Sequence, residues 1–209
     1  MAYLLLVRHG VTAWNKVGRW QGHTDIPLSD EGRAEARTAA QTIKDIKIDA
    51  AYTSPLSRTT QTYDEICDAL SLTCPVLAHP ALNERNYGVY TGKNKWAVKK
   101  ELGEKEFLKL RRNFDHPVPG GETLKDVYGR VVPFYKQQIL LDLKSGKNVM
   151  VVSSGNTLRA LIKFLEGKTD RKIADFELGF ADIYVFNIDK QGKIVGKEVR
   201  AKDLYSGKH

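Results

Sequence analysis

The sequence predicts an α/β protein: three layers, α/β/α, on a mostly parallel central sheet, in a single domain over residues 1–209. Three observations predict it. Short apolar runs recur along the chain and end in polar residues, as buried strands do. Longer stretches with apolar residues at helical spacing separate them. No repeat, low-complexity tract or Pro/Gly-rich linker divides the 209 residues, a length that suits one domain with a substantial core.

The elements follow in order. "YLLLV" (3–7) is a buried strand. The spacing of Ala36, Ala39, Ala40 and Ile43 predicts a helix over 28–46, with Ser29 or Asp30 as its N-cap. A strand over 49–55, a helix over 57–70 and a strand over 74–80 come next. Residues 83–121 are less periodic and read as a helical insertion over a site, with short helices at 94–102 and 104–112. A long helix over 122–146 is expected to kink at Pro133 and end at Gly146. A strand over 148–154 and a helix over 156–167 follow. "DIYVFNID" and "KIVGKEV", flanking the turn "DKQG", predict a closing hairpin. The C-terminal "LYSGKH" reads as a disordered tail.

The net charge is +8, from 33 Lys and Arg against 25 Asp and Glu. The surplus favours an anionic partner. The basic residues are scattered and no nucleic-acid-binding signature appears, so a small phosphorylated molecule is favoured over nucleic acid. The apolar N-terminal run is too short for a signal or membrane helix, so no membrane partner is expected. Cys67 and Cys74 form no CxxC pair and read as reduced thiols of a cytoplasmic protein. No carboxylate cluster has metal-ligand spacing, so no metal is expected.

Ligands of such sheets bind beyond the carboxyl ends of the strands. Four strand ends here carry polar residues: Arg8-His9-Gly10, Arg58 in "TSPLSRTTQT", Glu84 in "LNERNYG", and Ser153-Ser154-Gly155-Asn156. Arginines and helix N-termini at one edge would make an anion pocket. A neutral imidazole in it can attack phosphorus, and a carboxyl group can protonate the leaving oxygen. Each residue alone has a plainer reading. His9 could be structural, Arg58 could pair with Asp64, Glu84-Arg85 could be a surface ion pair, and Asn156 could cap the next helix. Convergence at one edge favours the site.

"LLLVRHGVTAWNKVGRWQGHTDIPLSDEGRAEA" resembles the opening of the histidine phosphatase superfamily, the phosphoglycerate mutase-like fold. The resemblance continues through "TSPLSRTTQT", "LNERNYGVYTGKNK", "RRNFDHPVPGGETLKDVYGRVVPF" and "SSGNTLRALIKFLEG". Three stretches are similar to the cofactor-dependent phosphoglycerate mutase branch: "ERNYG…GKNK", Arg111-Arg112, and "GNTLRALIKFLEG". The resemblance implies that His9 is the phosphorylated nucleophile and Glu84 the proton donor and acceptor. Arg8, Arg58 and Asn156 would hold the transferring phosphoryl group, with Asn15, Gln21, Gly22 and Gly155 lining its pocket. Tyr87, Lys95, Arg111 and Arg112 would grip the substrate's carboxylate and second phosphate. For the arginine pair the plainer reading is an exposed basic helix turn. The implied activity is 2,3-bisphosphoglycerate-primed interconversion of 3- and 2-phosphoglycerate in glycolysis, by a homodimer or homotetramer.

One residue departs from the pattern. The family has a second histidine where this chain has Ser154, which donates a neutral hydrogen bond and cannot become cationic. Losing one preorganised donor of that kind costs about 10²–10³ in rate. His23, just after Gly22, is the nearest histidine in sequence to take its place. Ser154 leaves open an active, compensated enzyme, a phospho-ligand binder without turnover, and an altered variant. The retained nucleophile, acid and arginines favour the enzyme. Gln21-Gly22-His23, "PGGETL" and the segment 177–183 depart toward the phosphatases, which makes a phosphomonoesterase the second reading.

Overall fold

The computed structural model describes residues 1–201. The tail "LYSGKH" lies outside the described residues. In chain order the elements are β1 (Ala2–Arg8), α1 (Ala13–Lys16), α2 (Asp30–Ala40), β2 (Ala50–Thr53), α3 (Ser57–Leu70) and β3 (Val76–Ala78). Then come α4 (Lys95–Leu102), α5 (Glu104–Arg112), α6 (Leu124–Phe134), α7 (Leu140–Lys144) and β4 (Val149–Ser153). The chain closes with α8 (Gly155–Leu165), α9 (Asp170–Ala174), β5 (Ile183–Ile188) and β6 (Ile194–Ala201).

The strands form one sheet in the order β3-β2-β4-β1-β5-β6. The first four are mutually parallel, with Arg8 beside Ser153 and Thr53 beside Val152. β5 and β6 are the predicted hairpin: β5 is antiparallel to β1, and β6 is antiparallel to β5. Alternation along β1 builds the layers. Leu4 and Leu6 pack with Val127 and Val131 of α6 and Leu158 and Leu161 of α8. Leu5 and Val7 pack on the other face with Ala39 and Ala40 of α2 and Tyr63 and Ile66 of α3. The parallel order puts the ends of β1, β2 and β4 on one edge, and His9 N–H donates to the Ser153 carbonyl there (3.0 Å).

Several boundaries differ from expectation. Ser29 caps α2 as predicted, but the helix passes at Ala40 into a 3-10 turn over Gln41–Ile43. The long helix expected over 122–146 is α6, a π-helical stretch over Tyr135–Ile139, and α7. Pro133 has no N–H to donate, so the regular ladder is broken beside it. Gly146 follows the last helical turn with φ +92°. The third strand shrinks to Val76–Ala78, exposed at the sheet edge. The insertion contains α4 and α5 as predicted, with its own apolar centre of Trp20, Tyr87, Val98, Phe107, Leu110 and Val118. Backbone bonds from Lys95 to Gly18 (2.8 Å) and from Gly92 to Trp20 (2.8 Å) join it to the loop after α1.

Candidate active site

A cavity of about 540 Å³ opens over the strand ends, between the insertion and the segment before β5. His9 lies at its base and is buried. Its Nδ1 is 2.7 Å from the Gly10 carbonyl oxygen. A carbonyl only accepts, so Nδ1 carries the proton and Nε2 keeps its lone pair. Burial holds the His9 pKa well below its ordinary value, and the Arg58 and Arg8 guanidiniums push it the same way. The imidazole is therefore neutral and nucleophilic at neutral pH.

Two arginines flank it. Arg58 is fully buried in the first turn of α3, and its two terminal nitrogens donate to the carbonyls of Thr24 (3.0 Å) and Gly22 (2.8 Å). It makes no pair with Asp64. Gly22 presents that carbonyl from a left-handed conformation, φ +52°, which glycine adopts without penalty. Arg8 donates through Nη1 to the Leu178 carbonyl, and the Phe180 ring covers its guanidinium at 3.9 Å. Gly155 packs beside it: a Cβ there would stand 3.4 Å from Arg8 Nε, in van der Waals contact. Arg8 Nε, Arg58 Nε and Ser154 Oγ are buried without a hydrogen-bond partner among the described residues. Unpaired buried donors are rare, and the two on Arg8 and Arg58, which line the cavity with His9, suit a phosphoryl group's oxygens.

Glu84 lines the cavity, and its Oε1 accepts from Arg85 N–H (2.6 Å). It is no member of a surface ion pair, because Arg85 is fully buried and bonds to the carbonyls of Glu122 and Leu110. The Glu84 carbonyl accepts from His23 Nε2 (2.8 Å) and Arg130 (3.1 Å), and Arg130 pairs with Glu122 (2.8 Å). His23 thus supports the Glu84 backbone and does not line the cavity, which removes it as a replacement for the second histidine.

The other end of the cavity is cationic. Arg111 and Arg112 end α5, and Lys95 begins α4; all three line the cavity, so the arginine pair is no mere surface turn. Burial pushes the Lys95 ammonium down to about 8, helped by Arg111 and Arg8. Arg159 of α8 is buried there, donates to Asn156 Oδ1 (3.0 Å), and is pushed down to about 10 by burial and by Arg112. Asn156 in turn donates to the Tyr87 hydroxyl (2.8 Å), whose ring stacks on Trp20 at 5.1 Å. Asn156 therefore lies inside the first turn of α8, and Ser154 is the residue at the cap position.

The cavity brings together Arg8, His9, Asn15, Gln21, Arg58, Glu84, Tyr87, Lys95, Arg111, Arg112, Gly155 and Asn156. Gly22 and Ser154 do not line it: Gly22 acts through its carbonyl, and Ser154 is buried beneath. Sequence reasoning missed Arg19, Trp20, Arg159, Glu177 and Phe180, which also line it. Arg159 lies three residues after Asn156 on one helix, a spacing that could have placed it. The others come from loops and carry no periodic signal.

Known proteins resemble the chain throughout. The profile of the histidine phosphatase superfamily, branch 1, matches residues 4–198. A 2,3-bisphosphoglycerate-dependent phosphoglycerate mutase of Mesorhizobium japonicum is 39% identical over 94% of this chain and 97% of its own. One of Bradyrhizobium diazoefficiens is 42% identical over 89% and 92%. Among solved structures, a mycobacterial glucosyl-3-phosphoglycerate phosphatase shares the fold with a TM-score of 0.83, at 22% identity, over 97% of this chain and all of that one. With its buried histidine at the sheet edge beside Arg8 and the buried Arg58, the chain belongs to the histidine phosphatase superfamily.

Proposed function

We propose that this enzyme is a 2,3-bisphosphoglycerate-dependent phosphoglycerate mutase. One observation carries the reading: Lys95, Arg111 and Arg112 form a second cationic end in the cavity that holds His9. A mutase must keep a doubly anionic molecule bound while it reorients, and so needs a second anion clamp. The names of the relatives at 39% and 42% identity support the same reading. The unpaired donors at one end and the cations at the other fit a ligand with two phosphates. Bound bisphosphoglycerate supplies the priming phosphoryl group.

His9 Nε2 attacks phosphorus; the P–N bond forms as the ester P–O bond breaks. Arg8 and Arg58, which line the cavity, offset charge on the equatorial oxygens. Glu84 gives a proton to the leaving oxygen and takes one from the hydroxyl that attacks in the reverse step. The Nδ1–H bond to Gly10 holds the ring in the reactive tautomer. Ser154, buried beneath the cavity, adds no positive charge, and the two guanidiniums carry the positive charge of this end.

A phosphomonoesterase is the second reading, favoured by Gln21-Gly22-His23 and by the segment 177–183, where Phe180 covers Arg8. It would use the same His9 and Glu84 with water as final acceptor. A coupled assay for 2-phosphoglycerate from 3-phosphoglycerate, with and without 2,3-bisphosphoglycerate, decides, with phosphate release followed in the same samples. Bisphosphoglycerate-dependent isomerisation is the expected result. Phosphate release without isomerisation overturns it for the phosphatase, and silence in both overturns it for a phospho-ligand binder.

A further inference from the structure

We propose that Glu177 is a resident stand-in for the substrate's distal anion, and that it sets the discrimination between ligands with one anionic group and ligands with two. The proposal rests on the reading of the Lys95, Arg111 and Arg112 end as an anion clamp.

The pair itself is the first observation. Arg112, at the end of α5, donates through Nη2 to Glu177 Oε1, in the segment before β5. The two residues come from different parts of the chain, the end of α5 and the segment before β5, and both line the cavity. The surroundings are the second. Lys95, Arg112 and Arg159 are each pushed down by burial and by a neighbouring arginine. Like charges held this close in a part-buried space need a counter-charge. Glu84 opposes the shifts of Lys95 and Arg159 as well as those of Arg8 and Arg58, Asp175 opposes that of Arg112 from a distance, and Glu177 supplies a carboxylate to Arg112 directly.

The third observation is that the carboxylate can leave while its backbone stays. The Glu177 side chain is 63% exposed, against 23% for Arg112. The next residues are fixed: Leu178 is buried, its carbonyl accepts from Arg8, and Gly179 N–H donates to Asp182 (2.6 Å). A rotamer change at Glu177 therefore frees Arg112 without moving the wall around His9. A ligand with a phosphate alone binds between Arg8 and Arg58 and leaves the Glu177–Arg112 pair in place. A ligand with a second anionic group must displace Glu177 to reach Arg112. The carboxylate thus weakens binding of two-anion ligands and leaves one-anion ligands untouched, which shortens the stay of a two-anion product.

The test is calorimetric titration of wild type, Glu177→Gln and Glu177→Asp with 3-phosphoglycerate and with inorganic phosphate. It needs no turnover. Glu177→Gln is expected to bind 3-phosphoglycerate about 3- to 10-fold more tightly, the range of an exposed to half-buried ion pair. Inorganic phosphate should bind it as it binds wild type, and Glu177→Asp, which keeps the charge, should stay near wild type for both. Unchanged or weaker 3-phosphoglycerate binding by Glu177→Gln overturns the proposal. Equal tightening for both ligands overturns it too, because the effect would then be the general field of the cavity. If wild type binds 3-phosphoglycerate no better than phosphate, the anion clamp itself fails, and the proposal with it.

Discussion

His9 Nδ1 and the Gly10 carbonyl oxygen are 2.7 Å apart inside a buried site, and this one contact fixes which nitrogen can react. The same burial has a consequence for stability. The folded protein keeps His9 neutral, because burial, Arg58 and Arg8 all lower its pKa. The unfolded chain protonates that imidazole below about pH 6.5. Unfolded protein therefore binds more protons as pH falls from there toward the lowered folded value. Stability is lost in that window at up to about 1.4 kcal/mol per pH unit. Denaturant titrations of wild type and His9→Gln between pH 7.5 and 5 should show wild type losing ground to the variant on the acid side. Parallel curves would mean that His9 is protonated in the fold.

Ser154 separates stability from chemistry. Its hydroxyl is fully buried and has no partner among the described residues, so Ser154→Ala removes none of their hydrogen bonds. The variant should match wild type or gain up to about 1 kcal/mol, since an unpaired buried hydroxyl is itself a cost. If the hydroxyl meets the phosphoryl group in the transition state, turnover should fall by about 10²-fold. Thermal unfolding and steady-state rates on one preparation check both halves. A slow, destabilised variant would make Ser154 a structural cap.

Which parts of this were legible in the sequence depends on how local their cause is. α3 and α5 match their predicted bounds because apolar spacing and flanking breakers are properties of short windows. The site residues at the strand ends were legible because a parallel sheet delivers its C-terminal ends to one edge. The π-helical stretch at Tyr135–Ile139 was not, since a proline announces a break but not its form. α1 and α9 are too short for a period to show. Glu177 and Phe180 were invisible for another reason. They reach the cavity only because the chain folds back along β5, with Arg8 N–H donating to the Asp182 carbonyl (3.1 Å).

Gly10 and Gly32 hold the loop that carries His9 against α2. A Cβ at Gly10 would fall 2.2 Å from the Gly32 carbonyl oxygen, and one at Gly32 2.1 Å from the Val11 carbonyl oxygen. Neither neighbour is a flexible side chain, so backbone must shift. Gly10→Ala is expected to destabilise by about 1–3 kcal/mol, the range for forced overpacking. For a chain of this size that lowers Tm by about 2–4 °C per kcal/mol. The shift also moves the Gly10 carbonyl that orients His9, so turnover should fall more than stability alone explains. Calorimetry beside kcat checks it. An unchanged Tm would mean that the loop after β1 has more freedom than these contacts allow.

Lys95 gives the cavity a pH-dependent grip. Its pKa of about 8 is set first by burial, then by Arg111 and Arg8. In the free protein the ammonium therefore loses its charge as pH rises through 8, well before an ordinary lysine would. A doubly anionic ligand favours the charged form and must recruit that proton above pH 8. Its dissociation constant should rise by up to about tenfold per pH unit there, and stay nearly flat between pH 7 and 7.5. Lys95→Met should bind 3-phosphoglycerate more weakly at pH 7 and lose this dependence, because the group that titrates is gone. Inorganic phosphate, held near His9, should show a smaller slope in both proteins. Calorimetric titrations from pH 7 to 9.5 measure all four cases. An equal slope in wild type and Lys95→Met would assign the dependence to another group.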